Sequence, residues 1–288
     1  EDSMKKLFSF ILAVTICLGM AISSSATGEN QYVEHPVNMP DVPATVPIPL
    51  EHQKVIAEGM GIDLFKEVPE DFVAPRASLA VMTPKNDKRL VRLVIKFEKN
   101  PDTFNYGTGF MIGPDAVATA AHNMNHPRYG KATSITCHIG VGSGMNAIHS
   151  ETITDTSRFY RPVSWDDTQA YRYDYGVIKL KQAVTSVGSF GFGVYSDSVL
   201  SSNTFTLMGY GRDAYPSAAS STLSNIGTND FYYSINTRGG DSGGPVFYNN
   251  GYVAGIHAYG TAPPQYPLPS ATRITSEVFN NLKAWRYK

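Results

Sequence analysis

Gly239-Gly240-Asp241-Ser242-Gly243-Gly244-Pro245 is the stretch on which the reading of this 288-residue chain turns. A serine hydroxyl is a poor nucleophile at neutral pH and needs a base beside it. It also needs backbone N–H groups aimed at the oxyanion that forms when it attacks a carbonyl. Glycines on both sides of Ser242 allow the tight turn that brings amides close. Loose Gly-Ser clusters are common turns, but this seven-residue form is much rarer. Ser242 is therefore the candidate nucleophile.

A base and an orienting carboxylate can be sought outward from it. Thr119-Ala120-Ala121-His122 closes a β-type segment, and the small residues around His122 leave room for an imidazole at a crowded site. Asp174, in Tyr173-Asp174-Tyr175-Gly176-Val177-Ile178-Lys179-Leu180, stands just ahead of an apolar run. A carboxylate there can be buried against an imidazole and fix its tautomer. Asp155, Asp166 and Asp167 compete for this role but lie in polar, loop-like surroundings, which favours Asp174.

The chain around these residues reads as β-structure. Leu90–Phe97, Gly109–Gly113, Ala116–Thr119, Ser134–Val141, Tyr175–Leu180, Phe205–Gly211, Asp230–Ser234, Pro245–Tyr248 and Tyr252–Ile256 are short apolar or alternating runs separated by Gly, Pro, Asn and Asp. Many short strands argue for an all-β sandwich or barrels. Asn249-Asn250-Gly251 suits a hairpin turn. Only the end reads as helical: after Thr275 or Ser276 as N-cap, Val278, Phe279, Leu282 and Trp285 recur at helical spacing.

Composition divides the chain further. The overall charge is -1 and 42% of residues are hydrophobic, which excludes a disordered polyelectrolyte. Glu1 to Ser3 precede Met4; Lys5 and Lys6 then lead an apolar run to Ile22, and small residues follow to Ala26. This pattern predicts a secretory signal over residues 1–26, too short for the ~20 apolar residues of a membrane span. Residues 27–78 hold nine Asp/Glu against three Lys/Arg, and seven prolines. This acidic arm predicts either a linker or a propeptide, and its prolines exclude a helix or an inner strand. Residues 79–288 hold 19 Lys/Arg against 14 Asp/Glu, a net of +5. The positive residues are scattered, so nucleic acid is not an expected partner. Loss of the signal removes Cys17 and leaves Cys137 alone, so no internal disulfide is expected. The histidines 122, 126, 138, 149 and 257 show no metal-ligand spacing, and neither a metal nor a cofactor is expected.

With TAAH, DYGVIKL and GGDSGGP in the order His, Asp, Ser, the chain resembles the chymotrypsin-fold serine proteases. More closely, it is similar to the bacterial glutamyl endopeptidases of the staphylococcal V8 type, over roughly residues 79–288. The resemblance implies two six-stranded antiparallel β-barrels, dividing near residues 185–200, and a C-terminal α-helix. It implies His122, Asp174 and Ser242 as the triad, and the amides of Gly240 and Ser242 as the oxyanion hole. It also implies a secreted zymogen, acting as a monomer on protein or peptide substrates with an acidic P1 residue. His257, in Gly255-Ile256-His257, and Thr237 match positions that read the P1 carboxylate, and the family uses the mature N-terminus near that pocket. That terminus is expected at Leu79, made by an activating protease that removes residues 27–78. Asp241 departs from the Asn of the staphylococcal proteins, and Arg238 adds positive charge near the pocket. A narrower specificity, as in the related exfoliative toxins, and a protease-like host-binding protein are the competing readings.

Overall fold

A computed structural model describes residues 33–34, 46–47, 79–142, 146–211, 215–248, 251–261 and 268–288. The expected signal and most of the acidic arm lie outside them, as does the Asn249-Asn250 turn.

Two antiparallel sheets carry the body. The first is built from β1 (Leu90–Phe97), β2 (Asn100–Gly113), β3 (Ala116–Thr119), β4 (Gly130–Ile139), β5 (His149–Ile153) and β6 (Gly176–Lys179). Its order is β5-β4-β1-β2-β3-β6, extended at one edge by Phe159–Tyr160; no pairing among the described residues joins its two ends, so this first barrel is a half-barrel where a closed one was expected. The second follows β7 (Gly191–Gly193) and comprises β8 (Thr204–Gly209), β9 (Ser217–Ser224), β10 (Asp230–Tyr233), β11 (Pro245–Tyr248), β12 (Tyr252–Tyr259) and β13 (Ser270–Arg273). Here β12-β11-β8-β9-β10-β13 closes on itself through a β12–β13 pairing, making a six-stranded barrel. Closure leaves this ring without an edge. Two described pairs of the acidic arm pair with the body: Val33–Glu34 with β7, at the edge of the second sheet, and Val46–Pro47 with Asn146–Ala147, as a separate two-stranded sheet.

Strand β1 shows why the two barrels adhere. Successive strand side chains point to opposite faces. Val91, Leu93, Ile95 and Phe97 enter the first barrel's own core, with Met111, Ile135, Cys137 and Ile178. Leu90 and Val94 instead join a second core shared with the other barrel, which includes Phe110, Phe190, Phe192, Phe247 and Val253. A third core, with Leu207, Phe231, Val246 and Ala254, fills the closed barrel. Both faces of β1 are therefore buried, and the run is apolar rather than alternating. Burial pushes the Cys137 thiol well up, as suits a core residue.

The C-terminal helix α3 (Ser276–Arg286) straps the barrels together. Thr275 caps it by accepting from the Val278 amide, and Val278, Phe279 and Leu282 face the shared core. Its other contacts reach the first barrel: Asn281 donates to the Tyr175 hydroxyl at 2.7 Å, and the Arg286 carbonyl accepts from Lys179 Nζ at 2.9 Å. Two short helices not foreseen in the sequence, α1 (Val163–Thr168) and α2 (Asp197–Ser202), occupy connections. Each is a turn and a half, below the length at which hydrophobic periodicity is readable. Among the described residues no helix is long and apolar enough to cross a membrane.

Phe190 meets Phe110 from one barrel and Phe247 from the other, with ring centroids 5.7 and 5.2 Å apart. Phe190→Ala is expected to destabilise the protein by about 3–5 kcal/mol. Tyr287→Ala, at a residue 67% exposed, is expected to change stability by less than about 0.5 kcal/mol. Denaturant unfolding of both variants checks the contrast.

Candidate active site

Asp174 follows the one-turn 3₁₀ helix Tyr171–Tyr173 and precedes β6; its side chain is fully buried. Its Oδ1 accepts the backbone N–H of His122 at 2.9 Å, and its Oδ2 lies 2.7 Å from His122 Nδ1. An ionised carboxylate only accepts, so the imidazole proton sits on Nδ1 and Nε2 is left as a base. Asp155, Asp166 and Asp167 are all exposed. Asp166 is taken up by Arg161 and Asn125, and Asp155 by Ser157.

Ser242 is fixed through its backbone from the opposite barrel. Its carbonyl accepts from the Thr108 amide at 2.8 Å and from Asn123 Nδ2 at 3.0 Å. Asn123 is the residue after His122, so the main chain of Ser242 is tied one residue from His122. The Ser242 hydroxyl is turned to the Ala258 carbonyl at 3.4 Å. Gly243, at φ +89°, fits where an added Cβ would strike the Thr108 carbonyl and the Thr119 hydroxyl. Gly240, at φ +97°, presses on the Gly211 carbonyl, and its own carbonyl accepts from Thr108 Oγ1 at 2.7 Å. Only glycine takes such φ values without strain.

The other expected residues gather nearby. Strand β12 pairs with the nucleophile loop through Gly243 N to His257 O and His257 N to Gly244 O, at 2.7 and 2.8 Å. An added Cβ on Gly260 would lie 3.4 Å from Thr237 Oγ1, which places that hydroxyl across from the residue three beyond His257. Leu79 precedes Ala80, which exchanges backbone hydrogen bonds with Ser234 and Asn236, on the segment leading to Thr237. Burial holds His257 neutral, its pKa lowered to about 3.

Several participants were not singled out from sequence. Thr108, Thr119 and Asn123 grip the loop, yet nothing in their local pattern marks a partner more than 100 positions away. His126 stacks on Tyr129 and lies 6.5 Å, ring to ring, from His122. Burial, and next the His122 charge, lower its pKa to about 3, while its Nδ1 accepts the Arg128 and Tyr129 amides. Arg92, buried on the interface face of β1, donates to the Gly211 carbonyl at 2.8 Å and lies over the Tyr106 and Tyr210 rings. Arg238, which the sequence did single out as charge near the pocket, directs its guanidinium to Ser217 and against Gly211. Among the described residues no three His, Cys, Asp or Glu side chains cluster as a metal site requires.

Asp241 is fully buried under the loop. Its Oδ2 accepts the Arg238 amide at 2.8 Å, while Oδ1 lies against Gly209 with no well-formed hydrogen bond. Burial pushes its pKa up to about 6, only partly offset by the Arg238 amide and the Arg238 and Arg92 charges.

Comparison with known proteins bears on the family and the fold. The family model described as trypsin-like peptidase domain matches residues 107–256. The chain is 31% identical over 194 residues to a glutamyl endopeptidase of Bacillus licheniformis, covering 62% of this chain and 59% of that one. It is 30% identical over 203 residues to a Bacillus subtilis protein named extracellular metalloprotease, covering 68% and 62%. It thus spans about 60% of the length of these curated relatives. A solved structure titled as Glu endopeptidase in complex with MPD aligns with a TM-score of 0.60 at 20% identity, over 72% of this chain and 97% of that one. That likeness identifies the fold as chymotrypsin-like.

Asp241 makes stability depend on pH. The unfolded chain releases this proton near 3.8 and the folded protein near 6. Between those values the folded state binds more protons, so this group's contribution falls as pH rises from about 4 to 6. Asp241→Asn is expected to remove that decline, so its thermal midpoint gains on wild type across the window. Parallel midpoint-against-pH profiles would refute the assignment.

Proposed function

The chain belongs to the trypsin-like peptidase family, and on that premise we propose that it is a serine endopeptidase cutting after acidic residues, chiefly glutamate. The buried Asp174–His122 pair, set beside the glycine-bound Ser242 loop, is the observation that carries the chemistry. Ser242 turns from the Ala258 carbonyl onto Nε2 of His122 as substrate binds; such contacts commonly tighten only in the substrate complex. Its Oγ attacks the scissile carbonyl while Nε2 takes the proton, and Asp174 stabilises the imidazolium. The amides of Gly240 and Ser242 receive the oxyanion. Collapse expels the amine, which takes the proton back from His122, and leaves an acyl-enzyme. Water then repeats the two proton transfers and releases the acid.

The acidic preference rests on His257 and Thr237 as donors to the substrate carboxylate. The name of the Bacillus licheniformis relative supports it, as does the +5 balance of residues 79–288. On this reading residues 1–26 export the protein, and residues 27–78 are a propeptide removed by another protease. The freed α-amino group of Leu79 then joins the pocket, from the position that Ala80 takes beside Ser234 and Asn236.

Peptides differing only at P1 test this. Glu is expected to exceed Gln by roughly 10²-fold or more in kcat/KM, because a site built of donors penalises a neutral isostere. Ser242→Ala is expected to lower kcat by about 10⁴–10⁶-fold with little change in KM. Equal rates on Glu and Gln peptides would remove the acidic specificity. An undiminished Ser242→Ala rate would remove the mechanism.

A further inference from the structure

The Nδ1 of His257 lies 2.5 Å from the Tyr233 hydroxyl and 3.1 Å from the Ser270 carbonyl. These two partners can fix the imidazole in opposite senses. The Ser270 carbonyl can only accept, so satisfying it places the ring proton on Nδ1 and leaves Nε2 a bare lone pair. The Tyr233 hydroxyl, which also lies 3.3 Å from the Ser270 carbonyl, can accept from Nδ1–H while giving its proton to that carbonyl, or can donate to Nδ1, which places a lone pair on Nδ1 and the proton on Nε2. The tyrosine contact is the shorter by 0.6 Å. Nδ1 is occupied in either case, so Nε2 is the nitrogen left for a pocket ligand. Resting on the acidic-P1 reading above, we propose that Tyr233 is a positioning residue for recognition of the substrate carboxylate. Its O–H donates to Nδ1 of His257 and so holds the imidazole with its proton on Nε2, aimed at the substrate.

Why the tautomer decides follows from the surroundings. Tyr233 is fully buried on β10 inside the closed barrel, and His257 is equally buried on β12. Burial, and next the Asp241 charge, keep the phenol from ionising, so Tyr233 remains a donor throughout the working pH range. His257 faces Tyr233 and Ser270 directly, with His122 and Asp174 acting on it only through space and in opposite senses. It is neutral near pH 7, so the pocket's attraction for a carboxylate depends on which nitrogen bears the single proton. With the proton on Nε2 the ring donates to the carboxylate. With it on Nδ1, the Nε2 lone pair repels that carboxylate.

The test compares Glu and Gln at P1 in protein recovered from expression of the full chain. A glutamine amide both donates and accepts, so it pairs with either tautomer; a glutamate carboxylate requires Nε2–H. Tyr233→Phe is expected to lower kcat/KM for P1 Glu by about 10–100-fold, the equivalent of one hydrogen bond to a charged group. The loss should lie mainly in KM, with P1 Gln changed less than about threefold, so that the Glu/Gln ratio collapses. A merely structural role would move both substrates together. Independently of any variant's folding, the ¹⁵N shifts of His257 in wild type, assigned by their disappearance in His257→Gln, report the proton's position. A proton on Nε2 supports the proposal, and one on Nδ1 overturns it. A wild type that prefers Glu, with the preference undiminished in Tyr233→Phe, overturns this inference alone. A wild type without that preference overturns the acidic-P1 reading and this inference with it.

Discussion

The grip of one barrel on the other's glycine loop is the constraint from which the rest of the site follows. Thr108 holds that loop at both ends, its amide on the Ser242 carbonyl and its hydroxyl on the Gly240 carbonyl. The same hydroxyl accepts from the Tyr210 amide, so a single side chain is bonded as donor and acceptor to two segments of the second barrel. Thr119 and Asn123 complete the clamp: Thr119 donates to the Thr108 carbonyl, and Asn123 reaches both Thr119 and Ser242. Each bond is buried or partly so, where a satisfied polar pair costs little and a broken one costs about 1–3 kcal/mol. His122 is flanked by the clamp's own residues in sequence. Barrel docking therefore sets the placement of Ser242 relative to His122, and the aromatic shared core is part of that geometry.

Beneath the clamp lies a less comfortable arrangement. Arg92 is bonded to the Gly211 carbonyl, which in turn packs against Gly240, so a buried cation of the first barrel bears on the candidate oxyanion loop through one glycine. Asp241 supplies opposite charge from the loop itself, yet burial dominates its environment and raises its affinity for a proton. A buried ionic group without full hydrogen bonding seldom adds stability. What Asp241 does supply is local order: its carboxylate accepts the Arg238 amide and its carbonyl the Gly244 amide, which bends the chain on either side of Ser242.

How much of this could be read from sequence depends on the range of the signal. The strands were legible because apolar runs and Gly/Pro punctuation are local. Leu90–Phe97 and Pro245–Tyr248 coincide with the observed elements, and Thr275 caps α3 as expected. The glycine loop was legible because its demands on φ fall on consecutive residues. Tyr233 and Arg92 were not, since each meets its partner across the closed barrel or the barrel interface and sits in an ordinary β-pattern. Arg238 shows the opposite failure. Its closeness to Ser242 in sequence suggested a pocket charge, whereas the turn at Gly239-Gly240 sends the guanidinium back to Ser217.

Three buried histidines near the site show how one side chain serves different ends through its Nδ1 partner alone. At His122 that partner is a carboxylate, which must accept, so the proton stays on Nδ1 and Nε2 is a base. At His126 the partners are two backbone amides, which must donate, so Nδ1 gives its lone pair and the ring neither ionises nor competes for His122. At His257 the proposed partner is a phenol, and its donation makes Nε2 a donor. Burial keeps His126 and His257 uncharged. With charge removed as a variable, what Nε2 offers is set by whether the group behind each ring gives a proton or takes one.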